Sequence, residues 1–386
     1  MSSAPDSAAE GVRIVVVAGS GRELLAAAGV LFPDARGRVL LVRLPYDRKR
    51  PVAVPGGGCD PQDGSPRRTA VREIEEELGF TPRLGALACL DWTLDHHRPP
   101  IAAHLYWAEP LTPEQAAAFT PDRAEVGGWA WLTPDQAGRA LPPRLSRRVT
   151  ACLRAPRAAA PLELEDGQPV GHSLDHLSSV PAPAYTGEAG LSELSEHWPR
   201  EADPAPPADA PPLLDRAAYI ASLPRIRAKA RTVFTDRAGR VLLVRQRPWD
   251  LPGGEVPYWT LPGGGIEADR ELPRAAARRE VREELGWSCE PGRLLALDWL
   301  PGRAADPAAD RETAVLVYLF DGGTVADERF ASIVLAEEEL VEWRLCDPVE
   351  ARALLTPASW ARTSAALATR DRPGGPAELV GGYPAG

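Results

Sequence analysis

The sequence predicts an α/β chain (α+β in its mixture of elements) built from two copies of one domain, each a mixed β-sheet packed between helices. Three observations carry this. Blocks of sequence recur in the same order: Asp34–Arg43 returns as Asp236–Arg245, Pro55–Gly58 as Pro262–Gly265, and Leu90-Asp91-Trp92 as Leu297-Asp298-Trp299. A spacing of about two hundred residues is far too long for a solenoid repeat, so the copies are tandem domains. Within each copy one amphipathic helix interrupts a series of short strands and a second helix closes the series, a pattern that gives a sheet covered by helices. Finally, a length of 386 residues is about two to three times that of a usual domain.

The elements follow in order. Each copy opens with a hairpin, Ala28–Phe32 with Val39–Leu44 and Ala230–Thr235 with Val241–Gln246, turned by Asp and Gly. A glycine-rich loop leads into the helix, Pro66–Leu78 or Pro273–Leu285. Ser65 and Pro66 start the first, and Gly79 and Gly286 stop the two. Strands over Leu84–Asp91, His104–Ala108 and Trp129–Leu132, with their counterparts, precede the terminal helix. The domains are expected at 22–154 and 216–375. Between them 155–215 reads as a proline-rich linker, most extended at Asp203–Leu213, with room for a short helix around Leu191–Trp198.

Composition excludes several classes. A 44% apolar and 25% charged chain is neither disordered nor fibrous. A net charge of −10 argues against binding nucleic acid or an anionic membrane. Of its 44 basic residues only Lys49 and Lys229 are lysine, and its 41 prolines belong partly to the linker. Cys59, Cys89, Cys152, Cys289 and Cys346 are scattered and odd in number, so they read as reduced thiols. Met1–Arg13 reads as lacking a signal peptide, and Ile14–Ala18 and Leu24–Phe32 are too short to span a bilayer, so the cytoplasm is the expected compartment.

Chemistry concentrates on the first helix of each copy. Glu280, Glu283 and Glu284 stand at i, i+3 and i+4 and so share a face, beside an apolar stripe of Ala277, Val281 and Leu285. Copy one repeats the face with Glu73, Glu76 and Glu77, backed by Ala70, Ile74 and Leu78. Three anions so close repel one another unless a cation sits among them, and hard oxygen ligands suit Mg²⁺, with Mn²⁺ as the alternative. The preceding glycines, Gly57 and Gly58 or Gly264 and Gly265, let backbone approach a ligand closely.

Gly265, Glu271 and then Arg279-Glu280-Val281-Arg282-Glu283-Glu284-Leu285-Gly286-Trp287 resemble the Nudix box, G-x5-E-x7-R-E-U-x-E-E-x-G-U. Trp259–Gly264, just before it, is similar to the family as well. The resemblance implies two Nudix-type α/β/α sandwiches with mixed sheets. It implies Mg²⁺-dependent hydrolysis of a small diphosphate, usually a nucleoside diphosphate derivative, by water attack on phosphorus. By the same resemblance Glu280, Glu283 and Glu284 are metal ligands, Arg279 and Glu271 form a bridge orienting them, and Glu339 matches a general base or further ligand. In copy one Arg72, Glu73, Glu76 and Glu77 are in place, but Gly64 stands where the early glutamate belongs. Asp63 can take over as the partner of Arg72 after a one-residue loop shift. Val52 also stands where copy two has Trp259.

Rival readings stay open. One is a regulator that binds a nucleotide derivative without turnover, with copy one degenerate. Another is a Nudix-fold diphosphate isomerase, for which Cys289 lacks a matching context. The Glu-rich helices can be read as solvated faces, and Glu339 and Glu125 as surface acids. Asp95-His96-His97 reads as a solvated loop, the His172 and His176 pair lacks further zinc ligands, and Trp92, Trp129, Trp299 and Trp343 read as core in preference to base-stacking. The two copies can also pair with each other within the chain.

Overall fold

The computed structural model describes residues 23–47, 49–94, 99–155, 160–175, 177–200, 216–247, 259–302, 313–372 and 374–385. Residues 1–22, 95–97, 176, 203–213 and 251–254, which include several of the stretches discussed above, lie outside the described residues.

Copy one runs β1 (Glu23–Leu31), β2 (Val39–Arg43), β3 (Val52–Ala53), β4 (Gly56–Gly58), α1 (Pro66–Leu78), β5 (Leu84–Thr93), β6 (Ile101–Ala108), α2 (Pro113–Ala117), β7 (Gly128–Leu132), α3 (Pro134–Ala140) and α4 (Pro143–Arg154). It is followed by β8 (Leu162–Glu165), β9 (Gln168–Pro169), α5 (Leu191–Leu194) and α6 (Arg216–Ser222). Copy two runs β10 (Ile226–Thr235), β11 (Val241–Gln246), β12 (Trp259–Thr260), β13 (Gly263–Gly265), α7 (Pro273–Leu285), β14 (Leu294–Leu300), β15 (Val315–Thr324), α8 (Asp327–Phe330), β16 (Leu340–Cys346), α9 (Pro348–Leu354) and α10 (Pro357–Arg370). The chain closes with β17 (Ala377–Val380) and β18 (Tyr383–Pro384).

Each copy has the same mixed sheet. In copy one β1 lies between antiparallel β4 and parallel β6, and β6 continues antiparallel into β5. In copy two β10 lies between β13 and β15, and β15 continues into β14. A second layer holds β3-β2-β7, matched by β12-β11-β16. The expected hairpins are therefore not hairpins. Of the first pair only Pro33 and Val39 bridge, and of the second only Thr235 and Val241. Each strand passes at the turn into the other layer, where it finds different neighbours. β2 is buried at all five positions, so alternation cannot reveal which partner it takes.

The helices α1 and α7 cover the residues their capping signals predict. Ser65 Oγ accepts the N–H of Arg68, and Gly79 and Gly286 end the helices in the left-handed region. Ala70, Ile74 and Leu78 of α1 are completely buried, as are Ala277, Val281 and Leu285 of α7. Each large aliphatic so buried contributes about 1.5–3 kcal/mol.

The segment 155–215 is more than the spacer its prolines suggest. β8 pairs parallel with β5, and Leu162, Leu164, Val180, Leu191 and Trp198 are buried in the core of copy one. Leu162 and Leu164 face in and Glu163 and Glu165 face out, a period of two that the surrounding prolines obscure. The prolines flank the strand or sit on the edge strand β9, where no donor is needed. In copy two the same role falls to β17, parallel to β14, just beyond the boundary expected at 375.

The two copies meet. β1 pairs antiparallel with β10 at Glu23–Arg227 and Leu24–Ile226. One apolar cluster contains Ala70, Ile74 and Leu78 of α1, Ala276 and Ala277 of α7, and Trp92, Tyr106, Trp299 and Tyr318 from the sheets. No helix among the described residues is long and apolar enough to cross a membrane, and all five cysteines are free.

Candidate active site

The site of copy two is built where α7 lies over β13. The glycines expected to form a loop instead form a short strand, because each pairs with β10. Gly263 has φ of 126° and would clash with the Ala230 carbonyl if it carried a Cβ, so only glycine fits there. A Cβ on Gly264 would stand 2.5 Å from an oxygen of Glu280. The bare backbone thus lets the helix bring its carboxylates onto the strand. Glu284, only 2% exposed, accepts the Gly263 N–H at 2.6 Å.

Arg279 ties the remaining acids together. Its guanidinium grips both oxygens of Glu271, at 2.7 and 3.1 Å, and reaches Glu280 at 2.9 Å and Glu283 at 2.8 Å. It also donates to the Gly265 carbonyl at 2.9 Å. The structure therefore brings Glu271, Arg279, Glu280, Glu283 and Gly265 into one network. Glu339 stands on the approach to β16 without joining it, yet its charge acts on Glu284.

Copy one shows the same construction. Glu77, 3% exposed, accepts the Gly56 N–H at 2.8 Å, and a Cβ on Gly57 would stand 2.6 Å from the Glu73 oxygens. Arg72 bridges Glu73 at 2.9 Å and Glu76 at 2.6 Å and donates to the Gly58 carbonyl at 3.3 Å. Asp63 fills the place left by Gly64, taking Arg72 Nε at 2.8 Å and Nη2 at 3.0 Å. Glu125 occupies the position of Glu339, and its charge acts on Glu73 and Glu77.

Burial sets the electrostatics. It pushes the carboxyls of Glu284 and Glu77 up to about 8 and raises Glu280 and Glu73 in the same direction. Burial acts on Asp63 too, but hydrogen bonds from Arg72 and Thr69 outweigh it and hold that carboxyl below the usual range. Arg72 and Arg279 are raised, first by their bonds to Asp63 and Glu271.

Arg231 went unnoticed in the sequence. It is buried on β10, donates to the Leu261 and Gly263 carbonyls, and its charge stabilises ionised Glu284 and Glu280. The signal was a lone arginine at a strand position that pairs with Gly263; its counterpart, paired with Gly56, is Gly29. Leu90-Asp91-Trp92 and its repeat also gain a reason. Asp91 pairs with Arg148 at 2.6 Å and Asp298 with Arg362 at 2.5 Å, each aspartate fully buried. Trp92, Trp129 and Trp299 are core residues, and His172 pairs with Asp175 at 2.8 Å.

The donors on each face are carboxylate oxygens crowded against bare backbone, a set that fits a hard divalent cation. Among the described residues no three ligating groups form a ready cage. Arg279 holds Glu280 and Glu283, and the Gly263 N–H holds Glu284, so each carboxylate is already engaged.

The NUDIX domain matches residues 23–151 and again 225–367, and the chain belongs to that family. It is an enzyme of the Nudix pyrophosphohydrolase type. Among solved structures it is similar to a MutT protein from Methanosarcina mazei Go1, with 22% identity over 37% of this chain and 91% of that one, TM-score 0.28. The ORF135 protein of E. coli matches at 25% identity over 37% and 90%, TM-score 0.28. An ADP-ribose pyrophosphatase from Streptococcus suis matches at 17% identity over 40% and 97%, TM-score 0.27. No curated protein matches the chain.

Proposed function

We propose that the chain hydrolyses small diphosphate-linked molecules, nucleoside diphosphate derivatives above all, with Mg²⁺ or Mn²⁺ and mainly through its second domain, 216–375. The observation that carries this is the convergence of Glu280 and Glu284 on the glycine strand, under a guanidinium that also holds Glu271 and Glu283. Glu280, Glu283 and Glu284 would hold the metal, which when bound neutralises diphosphate charge and activates water. Glu271 fixes Arg279, and Arg279 fixes the two outer carboxylates. Glu339 stands near enough to influence Glu284 electrostatically and is assigned the general base or a further ligand. Gly264 and Gly265, with Gly57 and Gly58 in the domain at 22–154, admit the substrate to the backbone. The acidic net charge and free thiols support a cytoplasmic enzyme acting on small molecules, with neither nucleic acid nor membrane as partner.

The test is phosphate release with Mg²⁺ over nucleotide sugars, dinucleotides, ADP-ribose and nucleoside triphosphates. Glu284→Gln lowers turnover of the best substrate by at least about 100-fold, the scale of losing one group that stabilises developing charge. Full turnover by Glu284→Gln on every hydrolysed compound would exclude the second domain as the main active site. Tight nucleotide binding without turnover by the wild type would favour the regulator.

A further inference from the structure

We propose that copy one is a second working metal site, rebuilt around Asp63 as a positioning residue in place of the glutamate its box lacks. The proposal rests on the reading of the Glu-bearing face given above.

The replacement is structural as well as chemical. Position 64 is a glycine at φ of 75°, so no carboxylate can come from there. Asp63 comes instead from the single turn Pro61–Asp63, which is locked by reciprocal bonds. Asp60 accepts the Gln62 N–H at 2.8 Å, and Asp63 accepts the Asp60 N–H at 3.0 Å. Thr69 of α1 donates to the same Asp63 oxygen at 2.7 Å. Held in this way, an aspartate one residue earlier and one methylene shorter meets Arg72 with both oxygens, as Glu271 meets Arg279.

Everything beyond Arg72 then falls into the pattern of copy two. The guanidinium reaches the helix carboxylates one and four residues on and the carbonyl of the last strand glycine. The innermost glutamate, Glu77, accepts the N–H of the first strand glycine. A run of acids that merely faced water would have no need to bury Glu77 to 3% exposure, because burying a carboxylate costs free energy unless a partner compensates. Copy one also lacks the counterpart of Arg231, since Gly29 occupies that place. Its carboxylates face one guanidinium fewer, so a divalent cation meets less competing positive charge than in copy two.

The test uses Mn²⁺ binding to the full-length chain by equilibrium dialysis, independent of turnover. Glu280→Gln/Glu284→Gln keeps about half of the Mn²⁺ bound by the wild type, with half-saturation no weaker than that of the wild type. Adding Asp63→Asn to it shifts half-saturation at least about 10-fold upward, the effect of losing a group that orients metal ligands. The single variant Asp63→Asn keeps the Mn²⁺ of copy two, which separates a local effect from misfolding. If Glu280→Gln/Glu284→Gln binds no Mn²⁺, the second site is refuted while copy two stands; if it binds Mn²⁺ and adding Asp63→Asn leaves its half-saturation unchanged, the positioning role of Asp63 is overturned. Loss of Mn²⁺ from both copies in the single variant would make Asp63 a residue of the fold and overturn its assignment. A wild type that binds no Mn²⁺ would refute the reading of both faces.

Discussion

Copy one and copy two reach the same guanidinium-centred network by different residues. Glu271 anchors Arg279 from an irregular approach, whereas Asp63 anchors Arg72 from a capped turn. The comparison teaches that what recurs is a charge placed at the arginine, not a side chain at a fixed position. Around the site the copies diverge further. Arg231 stands where copy one has Gly29, Trp259 where it has Val52, and Tyr318 takes the sheet position of His104. Outside it they agree in the deepest ion pair, Asp91–Arg148 against Asp298–Arg362.

That agreement gives the largest expected effect. Each aspartate also accepts a backbone N–H at 3.0 Å, Gly167 in copy one and Gly382 in copy two, from the hairpin that follows its domain. Removing the acid strands a guanidinium in the interior, at a cost of about 3–5 kcal/mol. Asp91→Ala and Asp298→Ala should therefore lower urea stability by similar amounts. Because the copies share an apolar cluster, both should shift one cooperative transition. A cost below about 1 kcal/mol in either copy, or two separate transitions, would break the equivalence.

His104 sharpens the contrast. It is wholly buried, bonded through Nδ1 to the Ala27 carbonyl at 3.2 Å, while Nε2 has no partner. Burial lowers its pKa to about 4. The unfolded chain, with an ordinary histidine near 6.5, binds the extra proton first as pH falls. Stability is thus lost between pH 6.5 and 4, by about 3 kcal/mol. Glu77 and Glu284, raised by burial, act in the opposite sense, so the wild type alone does not isolate the effect. His104→Gln does: its loss of stability from pH 7 to 4 should be smaller than that of the wild type by about that amount. Parallel pH profiles for the two proteins would show that His104 is protonated in the folded state.

Much of this was legible beforehand. The two box helices were readable to the residue because a helix-starting proline and a terminal glycine, joined in the first by the Ser65 cap, are local signals. The carboxylate faces followed from spacing alone. Long-range partners did not. β2 and β11 give no hint of which sheet they join, because side chains buried on both faces erase the alternation. Arg231 looked like any strand arginine until its pairing with Gly263 placed it under Glu284. Glu163 and Glu378 lay in a supposed linker and past a supposed boundary, since proline content and domain length say nothing of what packs against them.

Those two glutamates carry the smallest expected effect, and they test how closely the copies mirror each other. Glu163, which follows copy one, grips Arg274 of α7 with both oxygens, at 2.8 and 2.9 Å. Glu378, which follows copy two, meets Arg67 of α1 through a single bond of 2.8 Å. Each copy's trailing strand thereby holds the second residue of the other copy's box helix. Both arginines also lie over an aromatic ring, Arg274 over Phe320 and Arg67 over Tyr106, a contact that survives loss of the acid. The two-pronged bond is the stronger, so Glu163→Gln should cost about 1–2 kcal/mol, and Glu378→Gln under about 1 kcal/mol. Urea melts of both variants decide the order. Equal costs would mean that the bond count at these straps is irrelevant and that the ring contacts hold the seam. A larger cost for Glu378→Gln would reverse the asymmetry and make the tail of copy two the main tie between the halves.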